Sequence, residues 1–438
     1  MKKTVFGCLG AAAVVLALQF TPANVHAAGL FGSCLPCDQV DPCDPCGDNG
    51  CNPCDAVCGT KAGKWFLNGH VEAGFFANAH GNTNQYYPWS LVGRRNYVNP
   101  GNSARNWQLG QPYLQNTALT GGQINQVYLS MGKAVDGRRG LDIGGTVDFT
   151  WGSDAWKVQS KGMEYNAGHG APSDFSNGGD SWGTGDYYAA FAQAYAEIAY
   201  KRWNVKIGKF TAPFGSNPYK STENFFYSWS TSALIAPHTA GGAYATYKVS
   251  DSLSVLGGWA MPEEIGESSK HNDVIGGIIW DPTSRVNVFY AFAAGTNKYD
   301  PYGYVGEVDE FVHSLVVTTQ MTKRVKYVFD WTLRNISQKG SYHSADYALN
   351  NEIIYQYNKK WAFGTRFGML DSRSGSYGYH SEEELYTVGV GANWTPNKWL
   401  IVKPEVRYDW VKDATTLPFN DSTNSYQLSG GLSAVVKF

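Results

Sequence analysis

Tyr426-Gln-Leu-Ser-Gly-Gly-Leu-Ser-Ala-Val-Val-Lys-Phe438 closes the chain with a period of two. Counting back from Phe438, the residues Val436, Ala434, Leu432, Gly430, Leu428 and Tyr426 fall on one face. Lys437, Ser433, Gly431, Ser429 and Gln427 fall on the other, with Val435 the one apolar exception. Such alternation marks a strand with one oily and one wet face. A strand that seals a membrane barrel ends in this way, on an aromatic residue turned to the apolar side. The competing reading at this point is the terminal strand of a soluble β-sandwich.

Working back from this strand, the pattern predicts fifteen more: 65–79, 123–135, 139–151, 186–200, 203–210, 241–249, 252–260, 271–280, 284–293, 308–320, 324–334, 346–357, 361–370, 384–395 and 398–410. Their connections alternate between short and long. Asp136 to Arg139, Lys201-Arg202, Ser250-Asp251, Asp281 to Ser284, Thr322-Lys323, Asn358 to Lys360 and Pro396-Asn397 are turns. Between them lie long segments near 80–122, 152–185, 211–240, 261–270, 294–307, 335–345, 371–383 and 411–424. Even strand number, short turns at one end and long loops at the other describe an all-β, transmembrane antiparallel β-barrel of sixteen strands with both termini on the periplasmic side. A soluble sandwich has no reason to sort its loops by length.

Facing within strands agrees. In 398–410 the row Leu400, Val402, Pro404, Val406, Tyr408 and Trp410 opposes Lys403, Glu405, Arg407 and Asp409. A charge at mid-bilayer on the lipid face costs roughly 2–4 kcal/mol, so the charged row lines the lumen. In 324–334, Val325, Tyr327, Phe329, Trp331 and Leu333 point out while Lys326, Asp330 and Arg334 point in. In 139–151, Leu141, Ile143, Val147, Phe149 and Trp151 point out, with Asp142, Thr146 and Asp148 in. Outward aromatics collect at strand ends: Trp65, Trp203, Trp280, Trp361, Trp394 and Phe438 at one, Trp151, Trp331, Trp410 and Tyr426 at the other. Two aromatic girdles suit the two membrane interfaces.

Composition fits this picture. Aromatics make up 15% of the 438 residues and charged residues 16%, with 50 Gly and a net charge of -2 that gives no support for a nucleic-acid partner. Lys2 and Lys3, an apolar run from Val5 to about Leu18 and Val25-His-Ala27 predict a signal peptide over residues 1–27. No later apolar run is long enough for a membrane helix, so strands must make any crossing. Residues 28–63 form a Cys-rich leader bearing Cys34, Cys37, Cys43, Cys46, Cys51, Cys54 and Cys58, and the barrel region 64–438 has no cysteine. Three C-x-x-C units, each with Pro before its second Cys, suit tight turns. Local disulfides, cross-links to a neighbouring protein, and a metal site all remain open; the odd count leaves at least one thiol without an internal partner, and the spacing matches no ferredoxin run.

The sequence further resembles the OmpL-like β-barrel porins of the porin-2 type, particularly versions from planctomycete-type bacteria. The resemblance rests on Gln123-Ile-Asn-Gln-Val-Tyr-Leu129, Ala194-Tyr-Ala-Glu-Ile198, Val205-Lys-Ile-Gly-Lys-Phe210, Ala212-Pro-Phe-Gly215, Glu223-Asn-Phe-Phe-Tyr227, Pro237-His-Thr-Ala-Gly241, Trp394-Thr-Pro396 and Val402-Lys-Pro-Glu-Val-Arg-Tyr-Asp-Trp410. It covers about residues 64–438 and implies an outer-membrane porin without naming a solute. The leader departs from that pattern; its Asp41-Pro-Cys-Asp-Pro-Cys46 resembles a short stretch of chlamydial major outer-membrane proteins, which points towards cross-linking.

A sixteen-stranded barrel leaves an aqueous channel for small hydrophilic solutes, so loop and charge decide what passes. Segment 211–240 carries Phe214, Tyr219, Phe225, Phe226, Tyr227 and Trp229, more aromatic surface than a water-facing loop needs. Folded inward, as the third long loop of sixteen-stranded porins is, it would set a constriction from Phe214, Tyr219, Lys220, Glu223 and Phe226; packing against other external loops is the alternative. Arg285, Lys326, Asp330, Arg334, Arg366, Lys403, Glu405 and Arg407 are the expected pore-lining residues, with Arg366, Lys403 and Arg407 as a basic patch opposite the loop. Lumen charges nearly cancel, so strong ion selectivity is not expected. Phe191, Tyr195 and Phe289 face inward by parity as scattered candidates for sugar stacking. An enzyme would need a nucleophile beside a base. The one suggestive pair, His313 and Ser314, occupies adjacent strand positions that point to opposite faces. No cofactor or metal motif is present in the barrel region. Relatives with sixteen strands imply a homotrimer in outer-membrane lipid.

Overall fold

The computed structural model describes residues 65–79, 121–160, 162–164, 182–184, 187–262, 272–297, 308–338, 342–376, 379–412 and 424–438. The predicted signal peptide, the Cys-rich leader with its seven cysteines, and most of the long loops lie outside the described residues. Strands run in chain order as β1 (Trp65–Asn78), β2 (Gly121–Lys133), β3 (Leu141–Gly152), β4 (Gly183–Thr184), β5 (Tyr187–Tyr200), β6 (Trp203–Thr211), β7 (Thr239–Lys248), β8 (Leu253–Pro262) and β9 (Asp273–Thr283). They continue as β10 (Val286–Asn297), β11 (Val308–Gln320), β12 (Val325–Gln338), β13 (Tyr342–Gln356), β14 (Trp361–Ser376), β15 (Tyr379–Asn397), β16 (Leu400–Lys412) and β17 (Tyr426–Lys437). One four-residue helix, α1 (Ser232–Ile235), sits between β6 and β7.

Every long strand pairs antiparallel with its neighbours, and β3 pairs directly with β5, so the two-residue β4 is an appendage and sixteen staves remain. The C-terminal strand closes the ring on β1, with His70 opposite Lys437 and Asn78 opposite Ser429. Gly69 and Phe438 exchange backbone hydrogen bonds at 2.9 and 3.0 Å beyond that register, which pins the last residue. Closure leaves no unpaired strand edge, the condition for a sheet to cross a membrane.

Burial follows the sequence parity. Along β16, Lys403, Glu405, Arg407 and Asp409 are buried while Pro404, Val406 and Tyr408 are exposed; along β17, Gln427, Ser429, Ser433 and Val435 are buried while Leu428, Leu432 and Val436 are exposed. Large exposed apolar side chains form the outer surface all round the ring, including Trp65, Trp203, Trp280 and Phe438 at the turn end and Trp151 and Tyr426 at the loop end.

Three departures from the sequence expectations have local causes. Segments 335–345 and 371–383 are largely strand, because β12 to β13 and β14 to β15 continue as paired hairpins to Gln338↔Tyr342 and Ser376↔Tyr379. Beyond the bilayer both faces of a hairpin meet water, so the hydrophobic period that reports a strand disappears there. Phe191 does not face the lumen. A bulge shifts register between Asp148 and Phe149 and sets Phe191 opposite Phe149, and the two rings meet at 5.7 Å on the outer face. Arg285 lies exposed in the turn before β10, outside the strand expected to carry it.

Gly208 of β6 and Gly242 of β7 are direct partners, and both have positive φ, at 132° and 146°. A side chain at either would be strained and would press on the adjoining strand's backbone, on Ala194 and Trp259 respectively. Past these glycines Phe210 and Ala240 join a buried cluster, and the chain enters the lumen from their ends.

Candidate functional site

Residues 212–238 lie within the barrel against its inner wall. Starting from β6, Phe214 packs into an apolar cluster made by Phe210, Tyr244, Leu256, Ile275, Phe289, Val312 and neighbours, the lumen face of β6 to β12. The Gly215 N–H then donates to Ser314 Oγ at 2.9 Å, and the Ser216 N–H and Ser232 hydroxyl donate to Asp330 Oδ2 at 2.6 and 2.7 Å. Thr231 donates to the Leu349 carbonyl at 2.8 Å. Ser314 is thus a loop anchor on the inner face, while His313 stacks against Phe311 at 5.2 Å and meets the edge of Trp331 on the outer face.

The strongest clasp is on the opposite, polar wall, and Ser228 is its centre. The Ser228 N–H and hydroxyl donate to Glu405 at 2.8 and 2.5 Å. Arg366 Nη1 donates to the Ser228 carbonyl at 2.9 Å, and Arg407 Nη1 donates to Ser228 Oγ at 2.9 Å and to the Trp229 carbonyl at 2.8 Å. Each guanidinium is held by a wall carboxylate: Arg366 by Glu352 at 2.9 Å and Arg407 by Asp409 at 2.7 Å. Lys403 donates to the carbonyls of Ser221 and Asn224, the latter at 2.8 Å. The basic patch therefore touches the loop itself, and each of its three side chains donates to at least one loop carbonyl.

Aromatic side chains of the segment seat on wall glycines. A Cβ at Gly364 would overlap the Phe225 ring, and at Gly74 or Gly431 the Tyr227 ring, while Phe226 lies against Gly391. The Arg366 guanidinium also covers Phe226, 4.2 Å from its centroid. Trp229, Tyr227 and Phe226 are each 1% exposed, so this part of the segment is core.

On the side facing β2 and β3, Tyr219 bonds Thr150 at 3.0 Å and packs near Tyr128 and Trp229. Lys220 Nζ lies 3.3 Å from Asp148 Oδ2 and 5.1 Å over the Tyr128 ring. Glu223 ends a short 3-10 turn, Ser221–Glu223, and is half-buried beside it. Burial pushes the Glu223 carboxyl above its ordinary range, with Lys220 opposing. Burial works against the Lys220 ammonium, but Asp148 and Glu223 outweigh it and hold its pKa up. On the wall nearby, Tyr195, Glu197 and Lys206 are half-buried, with the Lys206 ammonium 4.6 Å over the Tyr195 ring. Lys326 is half-buried towards the turn end, and Arg334 pairs with Glu310 at 2.6 Å.

A second inward segment, residues 153–160 with 162–164, is not expected from the sequence. It includes a 3-10 turn, Ala155–Val158, that places Val158 in a cluster with Tyr128, Ala190, Tyr219 and Trp229. Lys157 lies 4.7 Å over the Trp229 ring. Two residues of β2 beneath the loop were also missed. The bulge opposite Glu72 and Ala73 makes Asn125 the extra residue, so Asn125 and Gln126 are buried in succession, Asn125 accepting from Tyr227 and Gln126 donating to the Tyr219 carbonyl.

The arrangement is a lumen bridged by an anchored segment, with a half-exposed charged margin on one flank. The sequence matches, over residues 67–438, the family described as "Putative beta-barrel porin-2, OmpL-like". No curated protein matches it. Solved structures of the same fold include the anion-selective porin from Comamonas acidovorans, at 10% identity and TM-score 0.53, covering 86% of this chain and 99% of that one. The outer membrane channel DcaP of Acinetobacter baumannii gives 10% identity and TM-score 0.52 over 86% and 97%. The in-vitro folded trimer form of OmpT from Vibrio cholerae gives 11% identity and TM-score 0.50 over 86% and 100%. With its closed ring of sixteen antiparallel strands and a match spanning the whole barrel, this chain belongs to the OmpL-like β-barrel porin-2 family of the outer membrane.

Proposed function

We propose that the protein is a porin for passive diffusion of small hydrophilic solutes, narrowed by segment 211–240. The observation that carries this reading is the docking of that segment on inward-facing groups of β2, β3, β11 to β14 and β16. Lys220 and Glu223, half-buried where the aromatic residues are fully buried, are the charges a passing solute meets. Because Arg366 and Arg407 each bond both a wall carboxylate and the loop, and Lys403 bonds the loop, they hold the constriction in place more than they attract ions. The Comamonas relative in fold is anion-selective. Here the wall charges nearly cancel, and weak ion selectivity is the expectation. Deleting residues 217–231 is expected to raise single-channel conductance in planar bilayers; an unchanged conductance refutes the constriction.

The long loops belong to the external end of the barrel and both termini face the periplasm in this reading. A homotrimer is supported by the trimer form of the Vibrio fold relative, and the native mass of the purified barrel in detergent tests it. The odd number of leader cysteines favours a second, compatible role, in which the barrel is cross-linked to an envelope neighbour. Reducing-agent-sensitive adducts on electrophoresis of intact envelopes would show it, and their absence would remove it.

A further inference from the structure

Glu72 of β1 and Asp154 lie beneath loop residues 219–224, and neither is used by the clasp around Ser228. Both side chains are fully buried. Glu72 sits opposite Gln126 in the β1–β2 ladder, and Gln126 Nε2 donates to Asp154 Oδ2 at 3.2 Å, so both acids lie beside the same residue. The same amide holds the loop: its Nε2 donates to the Tyr219 carbonyl at 2.9 Å and its Oε1 accepts the Ser221 N–H at 3.1 Å. Glu72 Oε1 accepts from Ser433 at 2.9 Å and the Ser221 hydroxyl lies near the carboxyl, but Glu72 Oε2 and Asp154 Oδ1 are buried with no partner in hydrogen-bond geometry among the described residues. An ionised carboxylate oxygen in that state is costly, and two such groups side by side are more so.

The charged and titratable groups packed around the pair do not neutralise both. Lys403 of β16 acts on Glu72, but its ammonium donates to the Ser221 and Asn224 carbonyls. Lys157 of the 3-10 turn faces Asp154. His70 of β1 lies on the other side of Gln126 at 3.0 Å, with Lys220 and Asp148 beyond it, and the hydroxyls of Tyr219 and Tyr227 close the loop side. Burial, and then the neighbouring Glu72 carboxylate, push the Asp154 carboxyl well above the usual carboxylate range.

We propose that Glu72 and Asp154 form a proton-held latch: the pair retains a proton while residues 219–224 are docked, and its loss to lumen water frees that stretch and widens the channel. The direction follows from linkage. A carboxyl whose pKa is higher docked than undocked favours docking at low pH, and that contribution is lost as pH rises through the docked value. The latch rests on the porin reading, since it acts through the constricting segment.

The test is single-channel conductance of the full mature barrel at constant salt, stepped from about pH 5 to about pH 9, a range above the ordinary carboxylate values. Wild type is expected to rise by roughly 1.5-fold or more on the alkaline side as the constriction opens. Glu72→Gln and Asp154→Asn, neutral at every pH, are expected to keep the acid-side conductance throughout. A wild-type conductance that ignores pH, or a pH response that survives in both variants, overturns the latch while leaving the porin intact. A wild-type response to calcium at fixed pH, with none to pH, overturns it in favour of a bound cation. Absence of channel events at any pH removes the porin reading and the latch together.

Discussion

Arg407→Ala is expected to lower the unfolding free energy of the barrel by about 3–5 kcal/mol, because it breaks a buried charge pair from one side. The Arg407 side chain is 1% exposed and bonds Asp409, Ser228 Oγ and the Trp229 carbonyl together. Alanine leaves the Asp409 carboxylate with Gln427 as a remaining partner and strips a donor from two loop atoms. Lysine at the same position restores the charge but not the planar fork that reaches wall and loop at once, so Arg407→Lys should recover only part of the loss. Urea titration of the vesicle-inserted barrel checks the stability. The loop, freed at its centre, should also make single-channel openings larger and noisier. Wild-type stability in Arg407→Ala would show that the clasp is redundant with Arg366 and Lys403.

That clasp marks the boundary between what the sequence discloses and what it hides. Which residues face inward could be read from parity, since a charged row in lipid is too costly: Lys403, Glu405, Arg407 and Asp409 all lie inside as alternation requires. The aromatic excess of 211–240 likewise pointed to the interior. What alternation cannot report is the partner of an inward charge. Arg366, Lys403 and Arg407 read as a basic patch opposite the loop, whereas each donates to loop carbonyls, those of Ser228, Trp229, Ser221 and Asn224, backbone atoms that carry no signature. Inward glycines at 74, 364, 391 and 431 opposite a run of Phe225, Phe226 and Tyr227 were the available signal, because a lumen wall has little need of glycine unless a ring must sit on it. Bulges defeat parity outright: one inserts Asn125 so that it and Gln126 are both buried, and another turns Phe191 outward. Segment 152–185 read as an external loop because its polar residues, among them Asp154, Lys157 and Glu164, look solvated until their buried partners are seen.

Glu164→Ala is expected to be comparably damaging, at about 3–5 kcal/mol, and to act on the wall itself. The β5–β6 ladder runs from Tyr200↔Trp203 only as far as Ala194↔Lys209, although β5 extends to Tyr187 and β6 to Thr211. Glu164 joins the two strands beyond that point. Its carboxylate accepts the Phe191 N–H of β5 at 3.0 Å and the Lys209 ammonium of β6 at 2.7 Å, and also the Ser160 N–H at 2.7 Å. Ser160 in turn reaches Thr239 of β7 at 3.2 Å. Both members of the ion pair are wholly buried, so alanine leaves the Lys209 ammonium inside the wall without its carboxylate, the Val158 carbonyl still accepting from it. The double variant Glu164→Leu with Lys209→Met removes both charges and supplies apolar volume, and should regain most of the stability lost in the single variant. A double variant as unstable as Glu164→Ala would assign the damage to the lost Phe191 and Ser160 hydrogen bonds, and the seam would then depend on backbone satisfaction more than on charge pairing.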